Sequence, residues 1–349
     1  MKLSVFNAHS YDKKYIGAAQ TARESLSDID ISFHEFPLSL ETVPLATGAD
    51  AVCAFVNDDL SAPVLAGLHK VGIQAILMRC AGYNNVDLDK AKELGLFVAN
   101  VPSYSPEAVA EFALALIQTL NRNTHRAYNR VREGNFNLDG LLGKTLCGKT
   151  VGIVGTGRIG VALARILHGF GCIIVAYDPF PNADFEKYGS YTDLDTLLSS
   201  SDIVSLHCPL MPKTNYIINE QSISKMKKGA MLVNTSRGAL IDTRSVIRAL
   251  KSKQLGGLAL DVYEGEGKIF YRDHSTTNFI IDDDVLMRLL TFPNVIISGH
   301  QAFFTEEALS EIADATLRNL EHFRDGEECP NSLIGDTPLR RELFPVRTI

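Results

Sequence analysis

The chain has 349 residues, of which 46% are apolar and 21% are charged, and these values are typical of a compact globular protein. Because this length exceeds one usual hydrophobic core, we predict two domains. The formal net charge of −7 and the lack of any Lys/Arg run argue against a nucleic-acid partner.

The six cysteines are scattered and form no CxxC pair, so neither a metal site nor a disulfide framework is predicted. No segment approaches the roughly 18 apolar residues of a membrane span. The N-terminus also lacks the continuous apolar region of a signal peptide. We therefore expect no membrane partner and a cytoplasmic location.

The first part of the chain alternates short apolar segments with helical stretches. The apolar segments read KLSVFN, ISFHEF, AVCAFV, AILMRC and LFVANV. This alternation predicts parallel strands joined by helices. The next segment, SYSPEAVAEFALALIQTLNR, predicts a long helix, because Pro106 suits a first helical position and apolar residues recur at three- and four-residue spacing. Its apolar face is compatible with a core or with a subunit interface.

A second series of apolar segments reads KTVGIVG, CIIVAYD, DIVSLHC, AMLVNTS, LGGLALD and NVIISGH. Apolar residues on both faces of each segment are typical of parallel strands covered by helices on both sides. The segment EEALSEIADATLRNLEHF is again helical, and the last fifteen residues are predicted to form a solvated tail. The predicted fold class is therefore α/β.

A cofactor signal lies in VGIVGTGRIGVALARILHGFGCIIVAYDPF, where a G-x-G-x-x-G pattern between a strand and a helix is formed by Gly155, Gly157 and Gly160. Such glycines allow a tight turn and a close approach of backbone amides to a pyrophosphate. Asp178 ends the next strand, where a carboxylate can accept hydrogen bonds from a ribose and repel a 2′-phosphate. The pattern favours NAD over NADP, although Arg158 and Arg165 leave NADP open.

Three later strands end in polar residues. The segments NTSRGAL, ALDVYEGEG and ISGHQAF deliver Arg237, Asp261 with Glu266, and His300. Because ligands of open α/β sheets bind beyond the carboxyl ends of the strands, these four residues can converge where a nicotinamide would lie. A ketone that accepts hydride develops charge on its oxygen, so it needs a fixed cation and a proton donor. Taken singly, each residue is also compatible with an ion pair or a loop contact.

Over nearly the whole chain these motifs resemble the NAD-dependent D-2-hydroxyacid dehydrogenases, and within them the fermentative D-lactate dehydrogenases. The likeness runs through YDKKYI, FVNDD, RCAGYNNVDL, VPSYSPEAVAEFA, GTGRIG, SLHCPL, NTSRGALID, LDVYEGE, GHQAFFTEEAL and ECPN. It implies a Rossmann-type, doubly wound cofactor domain, residues 104–300, inserted into a flavodoxin-like catalytic domain, residues 1–103 and 301–349. It also implies NAD as cofactor, pyruvate and D-lactate as substrates, and a homo-oligomer, either a dimer or a tetramer, joined through the cofactor domains.

The resemblance implies a role for each position that matches. Arg237 would hold the substrate carboxylate, His300 would be the general acid in reduction and the base in oxidation, and Glu266 would be the partner of the imidazole. The further implied substrate contacts are Ala81, Gly82, Tyr104 and Phe303. The implied cofactor contacts are Gly155, Gly157, Arg158, Ile159, Gly160, Asp178, His207, Cys208, Pro209, Thr214, Thr235 and Asp261. Without the resemblance, the two aromatic residues are equally compatible with core packing.

Two alternatives to a D-lactate dehydrogenase stay open on the sequence. A dehydrogenase for a bulkier 2-keto acid differs in pocket volume, which the sequence does not define. NAD(H)-sensing corepressors with the same fold bind partner peptides and can retain the Arg, Glu and His, so the motifs alone do not separate them from enzymes. The close match through FVNDD and GHQAFFTEEAL favours a metabolic role.

Overall fold

The computed structural model describes residues 1–275 and 280–335. The chain divides into two compact units. One comprises Met1–Ser105 and the segment that begins at Phe304, and the other is Pro106–Phe303. Within the described residues each unit contains one parallel sheet, so the predicted α/β class is confirmed. The predicted solvated tail lies outside the described residues from position 336 onward.

The first unit contains, within the described residues, a sheet of five parallel strands in the order β2-β1-β3-β4-β5. The strands are β1 (Lys2–Val5), β2 (Asp30–Phe33), β3 (Ala51–Ala54), β4 (Ala75–Met78) and β5 (Phe97–Ala99). The helices are α1 (Ser10–Thr21), α2 (Ala62–Lys70), α3 (Leu88–Glu93) and the C-terminal helix Glu306–Asp325. Strands β3 and β4 are buried at every residue because helices cover both faces of the sheet.

The second unit contains, within the described residues, seven parallel strands in the order β12-β11-β10-β9-β6-β7-β8. They are β6 (Thr150–Val154), β7 (Ile173–Tyr177), β8 (Ser190–Tyr191), β9 (Ile203–Leu206), β10 (Ala230–Asn234), β11 (Leu255–Leu260) and β12 (Val295–Ile297). The helices are α4 (Pro106–Arg122), α5 (Thr124–Arg132), α6 (Arg158–Gly169), α7 (Leu194–Ser200), α8 (Glu220–Lys225), α9 (Thr243–Lys251) and α10 (Asp284–Leu290). The sequence did not predict β8, because two residues carry no periodicity.

The apolar face of α4 belongs to the core of its own unit. Ala113 and Ile117 of this helix lie in one buried cluster with Leu163 and Leu167 of α6. From the sequence, the apolar face of this helix was compatible either with a core or with a subunit interface. Its burial against α6 shows that the face belongs to the core.

The register of the second sheet brings six strand ends to one edge. Val154 pairs with Tyr177 and with Leu206, and Leu206 also pairs with Asn234. The same alignment continues through β11 and β12. The residues that follow these strands therefore share one edge: Gly155, Asp178, His207, Thr235, Asp261 and Ser298. Ligands of open α/β sheets bind at such an edge.

Candidate active site

The glycine loop joins β6 to α6 and begins at Gly155, whose φ of 98° lies in the left-handed region. A Cβ atom at this position would lie 2.6 Å from the backbone nitrogen of Cys208, so only glycine fits. A Cβ at Gly160 would lie 2.1 Å from the carbonyl oxygen of Gly155, which is the close helix–strand packing of a dinucleotide loop. At Gly157, by contrast, the space within 4 Å of a Cβ is open and leaves room for a ligand.

Asp178 follows β7 and is hydrogen-bonded to the glycine loop. Its Oδ2 accepts from the backbone nitrogen of Thr156 at 2.7 Å and from Thr156 Oγ1 at 3.1 Å, and its Oδ1 accepts from Phe180 N at 2.9 Å. Because a carboxylate has about four lone-pair positions, roughly one stays open on Oδ1 for a ribose hydroxyl. Sequence reasoning missed Thr156, since it occupies a variable position of the glycine pattern.

Two buried polar atoms, just after the neighbouring strands β9 and β10, have no hydrogen-bond partner among the described residues. They are Nδ1 of His207 and Oγ1 of Thr235. Burial lowers the pKa of His207 to about 4, so the ring is neutral at physiological pH. Its Nε2 lies 2.8 Å from Ser205 Oγ. Unpaired buried polar groups are unfavourable unless a ligand or water completes their hydrogen bonds. Together with the glycine loop, these two atoms fit a dinucleotide such as NAD.

The remaining predicted cofactor positions differ in their surroundings. Burial raises the pKa of the Cys208 thiol to about 11, so this thiol is neutral. Thr214 Oγ1 donates to Pro209 O at 2.6 Å and accepts from a backbone amide of the same loop at 2.8 Å, so the hydroxyl closes its own loop. Arg158 is exposed at the start of α6, whereas the side chain of Ile159 packs against the core. Contacts of these residues with a cofactor stay predictions.

Arg237 follows β10 and is half-buried. Its Nη1 donates to Ser236 O at 2.7 Å, and no carboxylate pairs with the guanidinium among the described residues. Its backbone is fixed from both sides: Asn234 Nδ2 donates to Arg237 O at 2.8 Å, and a Cβ at Gly238 would lie 2.1 Å from the carbonyl carbon of Tyr263. The cation is therefore held in place while most of its donors stay available to an anion.

His300 and Glu266 form a hydrogen-bonded pair, with 2.7 Å between Nδ1 and Oε1. The second carboxylate oxygen of Glu266 accepts from Tyr263 N at 2.8 Å. The φ of His300 is 56°, an uncommon conformation that persists where the surrounding structure enforces it, often at functional sites. Within the described residues Nε2 has no hydrogen-bond partner, so this nitrogen is left to exchange a proton with a ligand.

Asp261 is fully buried and holds the loop that carries His300. Its Oδ1 accepts from Ser298 Oγ at 2.6 Å and from Gln301 N at 2.9 Å, and its Oδ2 accepts from Ala302 N at 2.9 Å. These three donors flank His300 in the sequence. The structure thus gives Asp261 a positioning contact, and its predicted contact with the cofactor stays a prediction.

Tyr271, which sequence reasoning missed, contacts the same loop. Its hydroxyl donates to His300 O at 3.1 Å, and the centroids of the two rings are 5.8 Å apart. Its own φ of 64° is also left-handed. No motif marks this segment, so only the packing of the chain reveals the contact.

The three predicted catalytic residues lie in the second unit, where His300 and Glu266 are in contact and Arg237 follows a strand that ends at the same sheet edge. The predicted substrate contacts Ala81, Gly82 and Tyr104 belong to the first unit. Asn100 Nδ2 donates to Ala81 O at 2.8 Å and holds the loop after β4. The backbone amides of Ala81 and Gly82 donate no hydrogen bond within the described residues, so both can serve an anion. Tyr104 is half-buried, and Phe303, in the second unit, is buried.

In residues 1–275 and 280–335 no three His, Cys, Asp or Glu side chains are grouped so that they could hold a metal ion. The same part of the chain has no helix with both the length and the apolar character that a membrane crossing needs. All six cysteines are free thiols.

Known proteins share both the sequence and this architecture. The model of the NAD-binding domain of D-isomer specific 2-hydroxyacid dehydrogenases matches residues 114–302. The chain is 66% identical to D-lactate dehydrogenase kk1H of Curvularia clavata over 334 residues, which cover 96% of this chain and 95% of that protein. The chain belongs to the D-isomer specific 2-hydroxyacid dehydrogenases.

Other members of this dehydrogenase family support the same conclusion. The chain is 52% identical to the D-lactate dehydrogenase of Escherichia coli over 335 residues, which cover 96% of this chain and all of that protein. The solved structure of the pyruvate reductase of Chlamydomonas reinhardtii matches with a TM-score of 0.89 at 44% identity, covering 95% of this chain and 98% of that one. The resemblance stated from the sequence, the oxidoreductase class and NAD as the cofactor are confirmed.

Proposed function

We propose that this dehydrogenase reduces pyruvate to D-lactate with NADH and catalyses the reverse oxidation. The observation that carries the proposal is the unneutralised Arg237 guanidinium on the same sheet edge as the His300–Glu266 pair. A cation for a carboxylate and a proton donor for a ketone are the two groups that reduction of a 2-keto acid needs. The relatives named D-lactate dehydrogenase and pyruvate reductase support the choice of substrate.

Arg237 binds the substrate carboxylate in this proposal. Its planar guanidinium presents parallel N–H donors that match a carboxylate, and its charge also stabilises the negative charge that develops on the ketone oxygen. The backbone amides of Ala81 and Gly82 are our proposed further donors to the carboxylate. Tyr104 and Phe303 are the proposed contacts for the rest of the substrate.

His300 exchanges the proton at Nε2. In reduction the protonated ring donates from Nε2 to the ketone oxygen, and in oxidation the neutral ring accepts the hydroxyl proton at the same atom. Glu266 accepts a hydrogen bond from Nδ1 and so keeps a proton on that nitrogen, which leaves Nε2 to exchange the proton with the substrate in both directions. NADH, when bound, supplies the hydride that adds to the carbonyl carbon.

The second unit binds NAD along its glycine loop in our proposal, with the ribose at Asp178 and with further contacts at His207 and Thr235. The first unit, which includes the segment that begins at Phe304, then forms the catalytic domain. The glycine loop fits an anionic pyrophosphate, because the amides at the start of α6 offer positive potential and the first turn of this helix carries no acidic side chain.

We further propose a homo-oligomer, either a dimer or a tetramer, that works in the cytoplasm. Helix α5 and the loop after it expose apolar side chains, namely Tyr128, Val131, Phe136, Leu138 and Leu142. Clustered exposed apolar side chains favour a protein–protein contact. Light scattering on the purified protein at micromolar concentration tests this proposal, and a monomer would contradict it.

The activity test mixes the purified protein with NADH and pyruvate and follows the loss of NADH absorbance. Chiral analysis of the product is expected to give D-lactate. A panel of larger 2-keto acids then compares kcat/KM and separates a pyruvate enzyme from one for a bulkier substrate. Tight NADH binding without turnover of any 2-keto acid would instead favour a binding-only role.

A further inference from the structure

A chain of hydrogen bonds leads from the edge of the second sheet to the carboxylate of Asp178. The backbone nitrogen of Asn182 donates to Tyr191 Oη at 2.6 Å, and Tyr191 Oη donates to Thr156 Oγ1 at 2.8 Å. Thr156 Oγ1 in turn donates to Asp178 Oδ2 at 3.1 Å. We call these four residues the Asp178 network.

The network has a direction. A hydroxyl has one proton, so Thr156 Oγ1, which accepts from Tyr191, points its own proton to Asp178. Thr156 is buried, and its carbonyl also accepts from Asn182 Nδ2 at 3.1 Å. Thr156, which lies between the first two glycines of the loop, is therefore held through both its backbone nitrogen and its carbonyl oxygen. Removing the Tyr191 hydroxyl takes away the donor to Thr156 Oγ1, so that only the hydrogen bond to Asp178 still orients the Thr156 hydroxyl.

The hydrogen bonds that the Asp178 carboxylate already accepts limit what else it can bind. Two donors from Thr156 occupy Oδ2, and Phe180 N occupies one position of Oδ1. The remaining position accepts one donor, such as a ribose hydroxyl. A 2′-phosphate at that position has a negative charge and brings no proton, so the fixed carboxylate repels it.

The nearby cations do little to offset this repulsion. Arg165 Nη2 is paired with Glu107 Oε1 at 3.0 Å, so the charge of Arg165 is already neutralised. Arg158 has no carboxylate partner among the described residues. Arg158 is exposed to solvent, where charge interactions are weak. The discrimination against a 2′-phosphate thus depends on the orientation of Asp178.

We propose that Tyr191 and Thr156 are specificity-determining residues of this dehydrogenase, because their hydrogen bonds hold Asp178 in the orientation that accepts a ribose hydroxyl and repels a 2′-phosphate. This inference rests on the proposed function and assigns to two further residues the preference for NADH over NADPH. Without an oriented Thr156 hydroxyl, Asp178 keeps only its two backbone donors and its carboxylate is less fixed, so NADH loses part of a hydrogen bond while NADPH meets less repulsion. Both effects change the selectivity in the same direction.

The experiment measures direct binding of NADH and NADPH by nicotinamide fluorescence, for the wild-type protein, Tyr191→Phe, Thr156→Val and Thr156→Ser. In Tyr191→Phe and Thr156→Val the ratio of the NADPH Kd to the NADH Kd is expected to fall about tenfold, which corresponds to about 1.4 kcal/mol. Thr156→Ser keeps a hydroxyl and is expected to keep the wild-type ratio. Tyr188→Phe is the matched control, since the Tyr188 hydroxyl makes no hydrogen bond within the described residues.

Two outcomes overturn the inference. The first is an unchanged Kd ratio in both Tyr191→Phe and Thr156→Val, and if both Kd values also rise by the same factor, the two residues have a merely structural role in the loop. In this case wild-type pyruvate reduction with NADH leaves the proposed function standing. In the second, wild-type protein binds no NADH, which overturns the proposed function as well. Melting temperatures identify any variant that does not fold. If either Tyr191→Phe or Thr156→Val fails to fold, the Kd ratio of the other variant tests the inference.

Discussion

Arg237 and Asp261 lie just beyond the ends of neighbouring strands, yet they differ in how far the protein supplies partners for their charges. Asp261 is fully buried and accepts three hydrogen bonds from the loop that carries His300. Arg237 is half-buried, donates one hydrogen bond to Ser236 O and has no carboxylate partner among the described residues. A charge whose partners are all supplied by the protein shapes the site, whereas an unpaired one is left for a ligand.

The largest effect is expected when the unpaired cation is altered. In Arg237→Lys the planar fork becomes a single ammonium, so kcat/KM for pyruvate is expected to fall about 10²–10³-fold. The Kd of NADH should change little, because the guanidinium serves the carboxylate of the substrate. Steady-state kinetics and NADH fluorescence check both statements. Arg248→Lys is the matched control, since Arg248 is exposed and paired with Glu220 on the surface. A normal KM and turnover in Arg237→Lys would contradict the role.

Altering Asp261, whose charge is fully hydrogen-bonded, should mainly lower the stability of the folded protein. Asp261→Asn places an amide opposite backbone donors, so the free energy of unfolding is expected to fall by about 2–4 kcal/mol. Ser298→Ala removes one of the three donors and leaves the carboxylate, so a loss of about 1 kcal/mol is expected. Denaturant titration of both variants gives the comparison. Equal losses in the two variants would show that the carboxylate does not organise the loop.

His207, just after β9, adds a third case, a half-buried ring that stays neutral. Its pKa is lowered by burial from 6.5 to about 4, so between these values the unfolded chain binds a proton that the folded protein does not. Stability should therefore fall as the pH drops through this window and level off below it. Between pH ~7 and pH ~4.5, wild-type protein is expected to lose about 1–3 kcal/mol more than His207→Gln. Denaturant titrations across the pH range measure this, and parallel curves for the two proteins would exclude the effect.

The smallest effect is expected at Tyr271, which contacts the backbone of the same loop. Tyr271→Phe removes the hydrogen bond to His300 O and leaves the ring in place. Loss of about 1 kcal/mol of positioning energy should lower kcat roughly 5-fold, with KM for pyruvate almost unchanged. Tyr188→Phe again serves as the control. A change confined to KM would instead place Tyr271 in contact with the substrate.

Much of the fold could be predicted because its signals are local. Runs that are apolar on both faces marked β6, β9 and β10 as buried parallel strands, and the glycine pattern required a turn in which a Cβ does not fit. Arg237 and His300 were also predictable, since any residue just after a parallel strand lies at the carboxyl edge whatever the order of the strands. Strand β8 was not, because a two-residue edge strand has no pattern of its own.

The sequence alone determined that this chain forms two α/β domains, binds a dinucleotide and presents an arginine, a histidine and two acids at one sheet edge. Only the tertiary structure decided which of those charges is already satisfied. It also revealed the contacts of Tyr271 with His300 and of Tyr191 with Thr156, which join residues 29 and 35 positions apart. Periodicity and spacing describe near neighbours in the chain, whereas the pairing of a charge depends on donors that packing brings from elsewhere.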